Sequence, residues 1–209
     1  MSPSKSIVLG TNNAKKRAEL VRLLGDTDFE VLALSDFDPV EEAEETGSTF
    51  SENAAIKATY YATKLNQWVI AEDSGLSVAA LDGAPGVYSA RFSGPDATDE
   101  KNNQLLLEKL KGVPRQKRNA WYTCHIALSD PQGNIHARTE DYCHGVILSE
   151  PSGDGGFGYD PLFEIPEYDM TFAVLGPSVK SVLSHRGRAY RKFLPMLLHA
   201  TQVNETANA

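Results

Sequence analysis

The apolar residues of this chain keep one spacing up to Pro114 and a different one beyond it. Before Pro114, short apolar runs at Ser6–Gly10, Glu30–Leu34 and residues 68–72 read as strands. Between them lie segments whose apolar residues recur every three or four positions: Ala18, Val21 and Leu24 in one, and Ala54, Ala58, Tyr61, Ala62 and Leu65 in the next. Thr49-Phe50-Ser51-Glu52 is a capping-box signature that opens a helix to about Asn66. Thr98, followed by Asp99 and Glu100, starts another that runs to Lys111. Beyond Pro114 the period falls to 2. Ala120–Leu128 and Ile135–Ile147 become two long strands around the turn Asp130-Pro131-Gln132-Gly133-Asn134, and Ser184 caps a last helix to about Ala200. Strand–helix alternation followed by a long hairpin predicts an α/β protein with a central mixed sheet flanked by helices.

With 209 residues the chain has room for one domain of two lobes. The core lobe is expected at about 6–114 and 150–200, with the hairpin at about 119–148. At 41 % hydrophobic the chain can fill a sizeable core. A net charge of −8 argues against a nucleic-acid surface built on phosphate neutralisation, but it leaves room for a small anion in a locally basic site. No apolar stretch reaches transmembrane length. The start, Met-Ser-Pro-Ser-Lys-Ser, leads straight into a strand, so no signal peptide is expected. The polar ends are Met1–Lys5 and Gln202–Ala209. Cys124 and Cys143 fit a reduced cytoplasmic protein, and without a Cys-x-x-Cys pair no structural zinc site is expected.

Five segments carry chemistry. Residues 68–75, Trp-Val-Ile-Ala-Glu-Asp-Ser-Gly, deliver two adjacent acids to what reads as the carboxyl end of a strand, where open α/β sheets bind ligands. Ionised, Glu72 and Asp73 repel each other, and Mg²⁺ with a phosphate substrate would relieve that. The same residues also describe an ordinary strand end. Thr11-Asn12-Asn13-Ala14-Lys15-Lys16 joins a strand to a helix N-terminus, a place for a phosphate or simply a capped helix. Asn53 and Lys57 lie one helical turn apart, so they share a face; Lys57 reaches either into a site or along the core edge into water. Glu44, in the acidic stretch before that helix, supplies a further metal oxygen or a solvated charge. Around Phe157, Gly158, Tyr159 and Asp160, three glycines let backbone approach a ligand, and Phe157 offers a stacking face worth about 1–3 kcal/mol to a base. A tight turn with core aromatics has the same composition. His185 and Arg186, with Lys180 upstream, oppose the dipole at a helix start, as a ligand site or a surface basic cluster would.

In chain order these blocks resemble the inosine triphosphate pyrophosphatase family. The matching stretches are TNNAKKxxE (11–19), EETGxTFxENAxxKA (44–58), EDSGLxVxxLxGxPGxYSARFSG (72–94), GGFGYDPLF (155–163) and SHRGxA (184–189). The resemblance implies a two-lobed inosine triphosphatase-like fold with an active-site cleft, Mg²⁺ dependence, a homodimer, and hydrolysis of ITP, dITP and XTP to the monophosphate and pyrophosphate. It implies phosphate binding by residues 11–16 and a metal held by Asp73, Glu44 and Glu72. Asp73 would be the general base, with Lys16 and Lys57 also catalytic. Asn53, Ser74, Lys57 and Lys180 would contact the substrate, and Phe157, Gly158, Tyr159, Asp160, His185 and Arg186 would form the base pocket. Two positions depart from the pattern. Many members have Asp at Glu72, and many have two acids before Lys180, where this chain has Ser178 and Val179. Two other readings are a Maf-like pyrophosphatase acting on pyrimidine or modified triphosphates, disfavoured by the SHRG and GGFGYDP blocks, and a non-catalytic nucleotide sensor, disfavoured by Asp73 and the lysines.

Overall fold

Among the described residues every strand joins one sheet of seven, in the order β2-β1-β3-β4-β5-β6-β7. The strands are β1 (Ser6–Leu9), β2 (Glu30–Ala33), β3 (Val69–Val78), β4 (Asn119–Ser129), β5 (Ile135–Ile147), β6 (Phe163–Ile165) and β7 (Met170–Thr171). The helices are α1 (Ala14–Leu24), α2 (Phe50–Leu65), α3 (Asp99–Lys109), α4 (Phe172–Leu183) and α5 (His185–Ala207). The computed structural model describes residues 6–25, 27 and 29–207, with side chains in α5 as far as Thr201. The polar end at Met1–Lys5 therefore lies outside the described residues, and of Gln202–Ala209 only the backbone of 202–207 lies within them. β1 runs parallel to β2 and β3, whereas β5, β6 and β7 pair antiparallel, so the sheet is mixed as the periodicity predicted.

The chain divides into two compact units, residues 1–73, 124–140 and 188–209 in the first and 74–123 with 141–187 in the second. In the first, side-chain alternation assigns the faces of the sheet. Ile7 and Leu9 of β1 and Ile70 of β3 pack with Leu20 and Leu24 of α1 and with Tyr190, Phe193 and Leu197 of α5. Val8 and Val69 pack instead with Tyr61 and Ala62 of α2, and Ala71 with Ala54 and Ala58 of the same helix. Each strand is thus buried on both faces, as parallel strands covered by helices on either side must be. The second unit has its own core, in which Leu76 and Val78 of β3 meet Leu106 and Leu110 of the α3 region, Tyr122, Phe163 and Phe172.

The helix starts follow their capping residues. Asn13 Oδ1 accepts Lys16 N–H at 3.0 Å, and Thr49 and Glu52 close the expected capping box on α2. Ser184 Oγ accepts Gly187 N–H at 3.1 Å at the head of α5, which continues to Ala207, beyond the expected end. Three features differ from the reading of the pattern. β3 does not stop at Glu72 but continues through Asp73 to Val78, which puts both acids inside the strand. The Gly- and Pro-rich stretch from Leu81 to Pro95, which by composition reads as a loop, carries a 3-10 turn over Gly86–Arg91. β6, β7 and α4 had no sequence counterpart. The two strands are short, and α4 is two helical pieces broken at Gly176 (φ 76°), with Pro177 starting the second. Neither piece shows a full amphipathic period.

Phe193 is fully buried in the first unit's core. Phe193→Ala should lower unfolding free energy by about 3–5 kcal/mol, the usual cost of deleting a buried ring. Urea denaturation measures this, and a change below 1 kcal/mol would contradict the packing described.

Candidate active site

The acids of β3 end up on opposite faces because the strand runs straight through them. Successive side chains of a strand point to opposite sides. Glu72 therefore follows Ile70 toward α1, and Asp73 follows Ala71 toward α2. Lys16 Nζ of α1 stands 3.5 Å from Glu72 Oε1, and the Cys124 thiol donates weakly to Glu72 Oε2 at 3.7 Å. Lys57 Nζ of α2 donates to Asp73 Oδ1 at 2.8 Å, and Asn53 Nδ2 to Asp73 Oδ2 at 3.4 Å. The expected pair of acids repelling each other side by side is replaced by two acid–lysine pairs, one on each face of the strand.

Asn53 and Lys57 share a face of α2, as their spacing required, and both meet Asp73. Asn53 is fully buried, and its Oδ1 accepts Gly47 N–H at 2.8 Å. A Cβ on Gly47 would lie 2.6 Å from that oxygen, so the acidic segment can approach α2 only as glycine. This approach brings Glu45, not Glu44, into the cluster. Glu45 Oε1 accepts from Lys57 Nζ at 2.7 Å, while Glu44 is exposed and its carbonyl accepts Thr46 N–H. Adjacent glutamates give no sequence signal for which one turns inward. Burial pushes the Asp73 carboxyl above its ordinary range, against the pull of Lys57 and Lys16. For Lys57 burial pulls down, but Asp73 and Glu45 together raise it above its ordinary value.

The segment from β1 into α1 is ordered by its own side chains. Thr11 Oγ1 accepts Asn13 N–H at 3.1 Å, and Asn12 Nδ2 donates to Glu42 Oε1 at 2.9 Å. Asn12, Asn13, Ala14 and Lys15 are exposed, while Lys16 is half-buried. The helix dipole at the start of α1 favours negative charge there, with Lys16 alongside.

The second unit gathers the other expected residues. Asp160 Oδ2 accepts both Phe157 N–H at 2.9 Å and Lys180 Nζ at 2.6 Å. The Lys180 ammonium lies 4.2 Å from the centroid of the Phe157 ring, and the Arg186 guanidinium 5.8 Å from it. Arg186 Nη2 donates to Ser74 Oγ at 3.1 Å. Lys180, Asp160, His185 and Arg186 are all at least 95 % buried. Buried cations are costly without partners, and here Lys180 has the Asp160 carboxylate and Arg186 the Ser74 hydroxyl. Lys180 thus finds its carboxylate in Asp160, while the residues just before it are Ser178 and Val179. Tyr159 turns away, its phenol donating to Ser89 C=O at 2.8 Å, and burial raises it well above the ordinary phenol range. Three residues not read from the sequence support this group. Tyr122 stacks on His185 with ring centroids 4.6 Å apart and planes 10° apart, while Asp99 and Asn103 both bond to Gly158. Tyr122 looks like any inward strand residue by its period, and Asp99 like a helix-start acid, so neither carried a distinguishing signal.

Chemically, the first cluster offers carboxylate oxygens, two lysines and a helix start whose dipole favours negative charge. The second offers an aromatic face, buried cations and directional donors. Asp73's folded-state value lies above its unfolded one. The stabilisation this brings is complete below the unfolded value and is lost as pH rises through the folded value. Carboxyl ¹³C NMR of the protein without divalent cation should show Asp73 titrating above ordinary aspartates; titration at or below their range would overturn the burial argument.

A model of the Ham1 family matches residues 7–196. A dITP/XTP pyrophosphatase of Rhodopirellula baltica is 52% identical over 96% of this chain and 97% of its own length. One from Desulforamulus reducens is 48% identical over 91% and 94%. Among solved structures, a HAM1 protein from Coxiella burnetii superposes with a TM-score of 0.83 at 39% identity, covering 96% of this chain and 99% of that one. The motif blocks, the mixed sheet and the full-length similarity to these proteins agree, and the chain belongs to the Ham1 family.

Proposed function

We propose that the chain is a Mg²⁺-dependent nucleoside triphosphate pyrophosphatase that converts ITP, dITP and XTP to the monophosphate and pyrophosphate and so removes deaminated purine nucleotides from the pool. The observation that carries this reading is Asp73, a buried carboxyl with a raised pKa, tied to Lys57 and Asn53. It occurs in a chain whose relatives over nearly its full length bear the name dITP/XTP pyrophosphatase.

The donor set suits a hard cation. Asp73 and Glu45 converge on one point, Lys57 Nζ, and carboxylate oxygens are what Mg²⁺ takes alongside substrate phosphates. Asp73 and Glu45 would hold the metal, with Glu72 adding negative charge from the other face of β3 and holding Lys16. Glu44 is the exposed neighbour. When bound, the ion would offset charge on the triphosphate and on the departing pyrophosphate.

The chain's own residues supply the rest. Residues 11–16 and Lys16 receive phosphate oxygens at the start of α1. Lys57 offsets charge that grows on the leaving group. Asp73 accepts the proton of a water whose oxygen attacks the α-phosphorus. The bond from that phosphorus to the bridging oxygen breaks, and pyrophosphate departs. Phe157 stacks on the base. Donors from Arg186 and His185 meet the oxygen at C6, which adenine replaces with an amino group. Buried donors left facing that group reject it.

The same family likeness supports a homodimer, which light scattering would test. It also supports a reducing cytoplasmic setting, in keeping with the buried thiols of Cys124 and Cys143. Among the described residues no helix is long and apolar enough to cross a membrane.

With Mg²⁺, ITP should yield IMP and pyrophosphate, and ITP and XTP should far exceed ATP in kcat/KM, while chelation abolishes turnover. Orthophosphate with IDP as first products, or equal kcat/KM for ITP and ATP, would defeat the proposal. Asp73→Asn keeps the shape but loses the base, and kcat should fall by about 10²–10⁴. Near wild-type kcat at saturating Mg²⁺ would place the base elsewhere.

A further inference from the structure

Gly158 sits between Phe157 and Tyr159, and both of its backbone polar groups are taken by one helix. Its N–H donates to Asp99 Oδ2 at 2.9 Å, and its C=O accepts from Asn103 Nδ2 at 2.9 Å. Asp99 is the first residue of α3 and Asn103 lies one turn on, so they share a face and grip Gly158 from two sides. Gly158 has φ +60°, yet nothing lies within 4 Å of where its Cβ would be. Glycine is needed there for its backbone conformation and not for space.

The helix that grips it is itself fixed. Leu106 is buried in the second unit's core. Asn102 Oδ1 accepts Ser93 N–H at 2.8 Å, and its amide donates to the carbonyl of Ala90 at 3.2 Å. On the other side of the segment, Asp160 Oδ2 holds Phe157 N–H. Phe157 is therefore pinned through its own N–H by Asp160 and through the next residue by α3. Asn103 makes its bond at a cost. Its Oδ1 is buried with no hydrogen-bond partner among the described residues. Turning the amide over would satisfy nothing at Gly158, because two carbonyl oxygens would then face each other. A broken local rule of this kind marks a position held for what it supports.

We propose that Asp99 and Asn103 are positioning residues for base recognition. By holding both polar groups of Gly158 they fix the backbone that carries the Phe157 ring beneath Lys180 and Arg186, and so set affinity for the base without touching it. This rests on the reading of residues 157–160 as the base pocket. Loss of the Asp99 bond frees one end of Phe157 but leaves Asp73, Lys57 and the residues at the start of α1 in place. Base binding weakens while the hydrolytic step does not.

Asp99→Ala, Asp99→Asn, Asn103→Ala and Phe157→Ala separate the possibilities, read by steady-state kinetics with ITP and ATP and by amide hydrogen exchange across residues 155–161. Asp99→Ala should raise KM for ITP about 10-fold, the scale of one hydrogen bond to a charged group. Its kcat should stay within about 3-fold on the same reasoning, and exchange at Gly158 should quicken. Asp99→Asn keeps a carbonyl oxygen for Gly158 but loses the charge favourable to the helix start, and it should recover most of the affinity. Asn103→Ala should act in the same direction with a smaller effect, and it decides the matter should Asp99→Ala fail to fold. The proposal is overturned if KM for ITP and exchange at Gly158 are unchanged, if only kcat falls, or if Asp99→Asn is as impaired as Asp99→Ala. An unchanged KM in Phe157→Ala overturns the base-pocket reading itself. A raised KM there beside an unchanged one in Asp99→Ala overturns only the positioning role.

Discussion

The ion pair between Asp73 and Lys57 depends on a strand that refuses to end. β3 carries two consecutive acids through the middle of a sheet that α1 and α5 cover on one face and α2 on the other. A strand cannot point neighbouring side chains the same way, so one acid must be buried beneath each layer. A carboxylate in such a place is tolerated only with a partner. Each helix layer supplies a lysine, Lys16 for Glu72 and Lys57 for Asp73. The rest of the first cluster follows from the second of these pairs. Asn53 steadies the other oxygen of Asp73 and holds Gly47, and the close approach at Gly47 brings Glu45 onto Lys57.

The second unit meets the same electrostatic problem with different material. Lys180 and Asp160 pair at 2.6 Å, and the ammonium also lies over the Phe157 ring, whose negative face offsets part of its lost hydration. Arg186 is among the largest fully buried side chains of the protein. Cations concentrated this way do little for stability compared with apolar residues of the same volume. Their retention fits the proposed task of recognising a base with oxygen at C6. In that proposal Tyr122, Asp99 and Asn103 frame the recognition surface, through a stacked ring and two hydrogen bonds to one glycine.

The two clusters divide the proposed chemistry. One combines oxygen donors and lysines suited to phosphates and a hard cation. The other combines an aromatic face with buried donors. Asp73 and Ser74 are consecutive residues, yet they belong to different units, so the chain passes from the proposed base of the reaction directly to the hydroxyl that Arg186 contacts.

Local features were legible in the sequence because they depend on nearby residues alone. The capping residues Asn13, Thr49, Thr98 and Ser184 announced their helices, the change of period at Pro114 announced the β4–β5 hairpin, and the one-turn spacing of Asn53 and Lys57 announced their shared face. The ordered motif blocks pointed to the family. What the sequence could not decide was anything that depends on burial from a distance. A polar Glu-Asp-Ser-Gly run reads as a strand end, since nothing local shows that helices will cover both faces and keep β3 going to Val78. Glu44 and Glu45 are equivalent as neighbours, and only the close approach at Gly47 turns one inward. The short β6, β7 and broken α4 carry too little periodicity to be seen, because they are held by contacts with a core assembled from remote segments. Asp99 reads as a favourable helix-start charge on any sequence, and only the tertiary fold brings Gly158 within its reach.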